Sequence, residues 1–286
     1  MLNSLPQNPL LRAAYVGYIA LFLFYLAAPL IVVATFAFND SLAPSLPWRG
    51  FTLDWFFGST EPKLGLFFDR NIMRGIGNSL MVAFATTALG LLCGTTTAFL
   101  FERYDFRLKG LCYMLMLAPL VIPGVILGIS ILAFSSSVAN AVDDRFAIEV
   151  GALRPGLVLV VLGQFSFIAT IATLVIAARL RKFDRSLEEA ALNLGASQPA
   201  VLATVTLPYL KPALIGAGLI AFLMSFENFN TTLMLVGSDP PLTITMFDRM
   251  KQGSTPVLNA VSLFLMIGSG LLGLVSVLVQ RGKAAN

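Results

Sequence analysis

The sequence predicts an all-α membrane protein of six transmembrane helices, and three observations carry that reading. The 286 residues are 57% hydrophobic and 12% charged, with a mean hydropathy of +0.83; an ordinary soluble domain holds about 25% charged residues. Six apolar stretches reach the roughly 20 residues that cross a bilayer, at about 14–38, 79–101, 111–134, 157–178, 213–236 and 257–279. The ~10-residue alternating segments of an outer-membrane barrel are not seen. With no low-complexity tract or long linker, residues 1–286 read as a single transmembrane domain.

Taken in order, the first span exceeds the 7–15 apolar residues of a signal-peptide core, so it reads as an uncleaved helix. The outward segment 39–78 follows, with Trp48, Trp55, Phe56 and Phe57. Such an aromatic cluster reads first as an interfacial belt and second as a partner surface. The third span contains Pro119 and Pro123, which remove two backbone donors and bend or break the helix. The break is either a packing kink or irregular backbone lining a cavity. Residues 135–156 and 237–256 are further outward loops, the second with the turn signal Ser238-Asp239-Pro240-Pro241. Cys93 and Cys112 fall in apolar runs and read as small buried hydrophobes.

Cation placement orients the bundle. Arg12, Arg103, Arg107, Lys109, Arg179, Arg181, Lys182, Arg185, Lys211, Arg281 and Lys283 fall on one side. Arg49, Lys63, Arg70, Arg74, Arg145, Arg154, Arg249 and Lys251 fall on the other. The first set is larger and lies in shorter loops, so positive-inside puts both termini and residues 179–211 in the cytoplasm. The net charge of +4 is topology information and gives no nucleic-acid footprint.

Residues 186–212 form a polar island between spans four and five. Ser186 and Glu189 have the spacing of a capping box. Leu187, Ala190, Ala191 and Leu194 then fall on one helical face. Gly195 stands where a left-handed C-terminal residue is wanted. Ser197 and Pro199 start a second short helix, and Leu207-Pro208 and Lys211-Pro212 mark the return to the membrane. On these residues alone the island is either a docking element or a tight re-entry hairpin.

Glu189-Ala190-Ala191, three residues, Gly195, then Val205-Thr206-Leu207-Pro208 resembles the EAA signature of ABC-importer permeases, with Val205 in place of the usual Ile. The motif lies between the fourth and fifth of six spans, so the resemblance covers nearly the whole chain. It implies the MetI-like permease fold, with the island as a cytoplasmic coupling helix seated in a groove of an ABC ATPase dimer. Glu189, Ala190, Ala191, Gly195, Leu207 and Pro208 then carry the ATPase contact. The resemblance further implies a second homologous permease subunit, an external substrate-binding protein received on the outward loops, and location in the bacterial inner membrane. ATP and Mg belong to the partner ATPase, and this chain binds no cofactor.

The fifth span contains Ser225-Phe226-Glu227-Asn228-Phe229-Asn230-Thr231-Thr232. A carboxylate at membrane depth costs at least ~2.5 kcal/mol, so it usually faces a cavity and works there. At 1.5 Å per residue from Ala213, Glu227 sits about 21 Å in, in the outer half of a ~30 Å core. On a continuous helix Asn230 and Thr231 share its face. The stripe is either an interhelix bond, or contact with a loop arginine such as Arg249, or a path site for an amine. In the path reading Phe226 and its neighbours offer cation–π faces, and Ser225 joins the lining. This segment, with Pro240-Pro241-Leu242-Thr243, resembles the spermidine/putrescine branch of these permeases. Relatives handling iron, sulfate or phosphonate compounds share such sequences.

Catalysis by this chain is not expected. Histidine is absent, and Gly282-Lys283 has Val277 and Ala284 where a P-loop needs Gly and Ser/Thr. A stand-alone secondary transporter would need coupling-ion residues at the midplane beyond the sole membrane carboxylate. A purely structural subunit would not need the capped island.

Overall fold

The computed structural model describes residues 9–253 and 255–281. Its helices are α1 (Pro9–Phe36), α2 (Asp54–Phe57), α3 (Arg70–Arg103), α4 (Lys109–Val121), α5 (Gly124–Phe146), α6 (Leu157–Leu180), α7 (Ser186–Asn193), α8 (Gln198–Val201), α9 (Leu207–Phe226), α10 (Asn230–Leu235), α11 (Leu242–Gln252) and α12 (Pro256–Arg281). Among the described residues, six stretches are long and apolar enough to cross a membrane: α1, α3, α5, α6, the run Gln198–Phe226 and Pro256–Leu274 of α12. The predicted all-α class holds among the described residues, where a lone bridge between Asn39 and Phe51 is the extended pairing.

Several span boundaries are corrected. α3 has 34 residues, about 51 Å of helix, so the stretch expected at 79–101 is the later part of a helix that starts at Arg70. The span expected at 111–134 is two helices. Pro123 has no N–H and pushes the residue before it out of the helical region; Ile122 is accordingly extended, at φ −75° and ψ 127°. Beyond that break α5 continues to Phe146, so Asp143, Asp144 and Arg145 are helical rather than in a loop. The fifth span, expected to reach 236, ends at Phe226. Cys93 and Cys112 are half-buried, not buried. Lys283, used for orientation, lies outside the described residues.

The chain divides into two compact units, one of residues up to Arg70 with Arg249–Gly268, the other of Asn71–Asp248 with residues from Ser269. In the first, α1 buries none of its residues, as expected of a helix apolar all round whose solvent is lipid. Residues 37–69 build a small core around Trp55, whose indole N–H donates to the Asn39 carbonyl at 2.8 Å. This corrects the aromatic belt: Trp55 is interior, while Trp48 and Phe57 remain exposed. Lys63 joins Asp40 and Asp54, and these contacts lower the Asp54 pKa and raise that of Lys63. Arg249 pairs with the buried Asp69.

In the second unit α6 is central and packs against α4, α9 and α10. Its approach to α3 needs small residues, since a Cβ on Gly94 would lie 2.7 Å from Ala172 Cβ and 3.0 Å from the Thr173 nitrogen. Packing of this kind replaces the hydrophobic drive that lipid does not supply.

Candidate functional site

The polar island folds as α7 and α8, but its first cap is not the expected one. Ser186 is already helical and makes no capping bond. Asp184 takes the role, accepting from the Ser186 N–H at 3.0 Å, which holds its carboxyl below the ordinary aspartate range. The carboxylate that organises the island is Glu188, one residue before the motif. Its Oε1 accepts from Arg103 Nη2 at 2.9 Å and from the Thr206 hydroxyl. Arg181 clamps Glu102 with two nitrogens, and Arg185 donates to the Glu102 carbonyl at 2.7 Å. The island is thereby pinned to the end of α3.

Gly195 closes α7 at φ +88°. The Ala196 N–H donates to Ala191 O at 3.1 Å and the Gly195 N–H to Leu192 O at 2.9 Å, the two bonds of a Schellman motif. The predicted apolar face does not pack on its own chain. Leu194 is 89% exposed and Leu187 52%, with Glu189 and Ala190 exposed beside them and Ala191 half-buried.

The return differs from the expected punctuation. α8 runs through a five-residue π turn, Leu202–Thr206, into α9, so Leu207 and Pro208 open a continuing helix. The wide turn sits just before Pro208, where the ring would otherwise crowd a carbonyl of the preceding turn.

At the far end of α9 the chain breaks over Glu227–Phe229. Glu227 therefore does not share a helical face with Asn230 and Thr231, and the expected stripe is corrected. Glu227 is exposed, and its carboxylate makes no hydrogen bond or ion pair among the described residues. Arg249, one partner considered for it, is held by Asp69. Phe226 is half-buried and stacked on Phe222. Ser225 is buried and donates to Gln164 Oε1, so it belongs to a structural network rather than an open lining.

That network was missed by the sequence reading. Gln164 Nε2 donates to the Thr232 hydroxyl at 2.9 Å. The Thr232 hydroxyl and N–H both donate to Asn228 Oδ1, at 3.0 and 3.2 Å, and Thr243 donates to the Asn228 carbonyl at 3.1 Å. It stitches the α9–α10 break to α6 and α11. The available signal was Gln164 itself, the one amide in a span whose other polar side chains are hydroxyls up to its terminal arginine.

The two breaks meet. A pocket of about 230 Å³ is lined from the α4–α5 break by Pro119, Leu120, Ile122 and Gly124, and from the α9–α10 break by Asn228, Asn230 and Thr231. The Thr231 hydroxyl donates to Gly124 O at 3.3 Å. Of the two readings of the prolines, irregular backbone lining a cavity is the one realised. Among the described residues no group of His, Cys, Asp and Glu has the arrangement of a metal site.

The chain is similar to the putrescine transport system permease protein PotI of Escherichia coli (strain K12), 30% identical over 258 residues that make up 88% of this chain and 85% of that one. It is 27% identical to the spermidine/putrescine transport system permease protein PotC of Haemophilus influenzae, over 90% and 92% of the two chains. Its fold matches a chain from the crystal structure of a bacterial ABC transporter that imports the acidic polysaccharide alginate, with a TM-score of 0.72, 19% identity and 95% of each chain covered. The family description "Binding-protein-dependent transport system inner membrane component" matches residues 86–282, a stretch that holds the pinned island, the double helix break and the pocket between them. This protein therefore belongs to the family of inner membrane components of binding-protein-dependent transport systems, with the MetI-like permease fold.

Proposed function

We propose that this chain is the non-catalytic permease half of an ATP-driven importer and that its solute is a polyamine or a related cationic amine. A cytoplasmic ABC ATPase dimer seats against α7 and α8, binding the ATP and Mg that this chain does not. A second, homologous permease completes the path, and an external binding protein delivers solute to the side opposite the island. Both termini lie in the cytoplasm.

The observation that carries this reading is the island's construction: a rigid mount under an exposed apolar face. Glu188, Glu102 and their arginines fix α7 to α3, while Leu187, Ala190 and Leu194 face away from the chain. Force applied to that face passes to α3 through ion pairs and to α9 through the Thr206 π turn. Glu189 lies on the same exposed element and offers a carboxylate to a cationic partner group. The amine reading rests on the names of the relatives and on Glu227, whose exposed carboxylate stands at the negative pole of α9.

The test is uptake of labelled putrescine by proteoliposomes holding this chain with its ATPase, second permease and binding protein. ATP-dependent accumulation supports the reading, with Glu227→Gln lowering uptake about tenfold in a complex that still assembles. Uphill transport by this chain without the ATPase would overturn it.

A further inference from the structure

We propose that the pocket between the two helix breaks is a resting site for one ammonium group of the solute within the membrane. The inference rests on the amine reading above and adds to it a site distinct from Glu227, which does not line the pocket.

The acceptors come from the backbone. Pro123 has no N–H to give the Pro119 carbonyl. The bonds that span this break run from the Ile122 N–H to Ala118 O and from the Leu127 N–H to Pro123 O. No donor among the described residues reaches the carbonyls of Pro119, Leu120 and Val121. Pro119 and Leu120 line the pocket. They stand at the negative pole of a 13-residue helix, and carbonyls freed in a broken helix are the groups that coordinate cations at membrane depth.

The side chains fit the same charge. Phe167 contributes an aromatic ring, whose face attracts an ammonium. The Thr231 hydroxyl in the pocket wall is itself buried and spends its proton on Gly124 O, so it has no free proton to oppose a cation. Asn230 is exposed in the pocket wall with an amide oxygen to offer. The amides at the start of α5 are the competing pole, suited to an anion. No lysine or arginine lines the pocket to pair with one, and the ring face repels negative charge.

Charge sign makes the test specific. In the four-component proteoliposomes, putrescine taken up per ATP hydrolysed is measured for Asn230→Asp, Asn230→Lys, Phe167→Leu and Phe167→Tyr. Asn230→Lys and Phe167→Leu should lower that ratio at least tenfold, while Asn230→Asp and Phe167→Tyr stay within threefold of wild type. A role in packing alone would give the two Asn230 variants the same result. Equal ratios for Asn230→Asp and Asn230→Lys, or a higher ratio for Asn230→Lys, would overturn the site while the wild type still transports. If the wild-type complex takes up no polyamine, the solute reading falls, and this site falls with it.

Discussion

Glu188 and Arg103, 85 residues apart, meet at 2.9 Å across the foot of the bundle, and the Thr206 hydroxyl donates to the same carboxylate oxygen. One oxygen thus joins the end of α3, the first turn of α7 and the π turn that opens α9. The pair is largely shielded, with side-chain exposures of 14% for Arg103 and 23% for Glu188. Glu188→Gln should cost about 1.5–3 kcal/mol of local stability, the usual worth of a charge-assisted bond. It should also loosen the relay from island to helices. The measurement is transport per ATP hydrolysed, expected to fall several-fold, whereas Glu188→Ser, too short to keep an acceptor against Arg103 and Thr206, should do worse still. A wild-type ratio for both would remove Glu188 from force transmission.

Gly195 gives a backbone test with no side-chain contact in it. A Cβ there meets nothing within 4 Å, so a substitution acts only through the φ of +88°. A β-branched residue in the left-handed region pays about 1–2 kcal/mol, and asparagine pays less. Gly195→Val should therefore impair stimulated ATP hydrolysis and raise protease cleavage within 186–200. Gly195→Asn should stay close to wild type.

Gln164 is expected to be a strong stability position. Gln164→Leu orphans the buried hydroxyl of Ser225, at about 1–3 kcal/mol for an unsatisfied group, and leaves the Thr232 hydroxyl with its bond to Asn228 alone. The midpoint of thermal unfolding of the detergent-purified complex should fall. Adding Ser225→Ala removes the orphan and should recover part of the loss.

Gly94 tests the α3–α6 approach. Gly94→Ala places a methyl 2.7 Å from Ala172 Cβ, so the helices must part, at about 1–3 kcal/mol. Gly77, whose Cβ would meet nothing within 4 Å, is the control: Gly77→Ala should be neutral or slightly stabilising in the same unfolding assay.

The Asp184 cap has a defined pH window. Its folded carboxyl is more acidic than the unfolded one because the Ser186 N–H stabilises the anion. The stabilisation is complete above the ordinary aspartate pKa of about 3.9 and is lost as pH falls through the depressed folded value. Hydrogen exchange at the first turn of α7 should therefore be flat from pH 8 to pH 5 once corrected for intrinsic rates, and quicken below pH 4. Asp184→Ala should show the quickened exchange at every pH.

Periodicity and composition were enough to find six spans, the island and the Gly195 turn, because each depends on a local run of residues. Hydrophobic length needs no partner to be recognised, and a glycine after a helical face signals its stop by itself. Local pattern also exposed Pro119 and Pro123 as a break. It failed at Glu227, where an apolar run looked like continuous helix and the stripe with Asn230 and Thr231 was read onto one face. The break there depends on Gln164, 64 residues from Asn228, through a network that no nearby residue predicts. Likewise Glu188, not Glu189, holds the island, because Arg103 stands opposite it in the folded chain.

Taken alone, the amino-acid order determined that this protein lives in a membrane, roughly where its apolar spans lie and where a polar island with a glycine stop separates two of them. Those properties follow from transfer free energy and backbone stereochemistry, which act residue by residue. Tertiary structure decided which polar groups are spent on holding helices together and which stay unspent. Ser225 and Thr232 are consumed by Gln164, whereas Glu227 and the carbonyls at the end of α4 are left open. A hydrogen bond between distant segments exists only once packing has brought its donor and acceptor together.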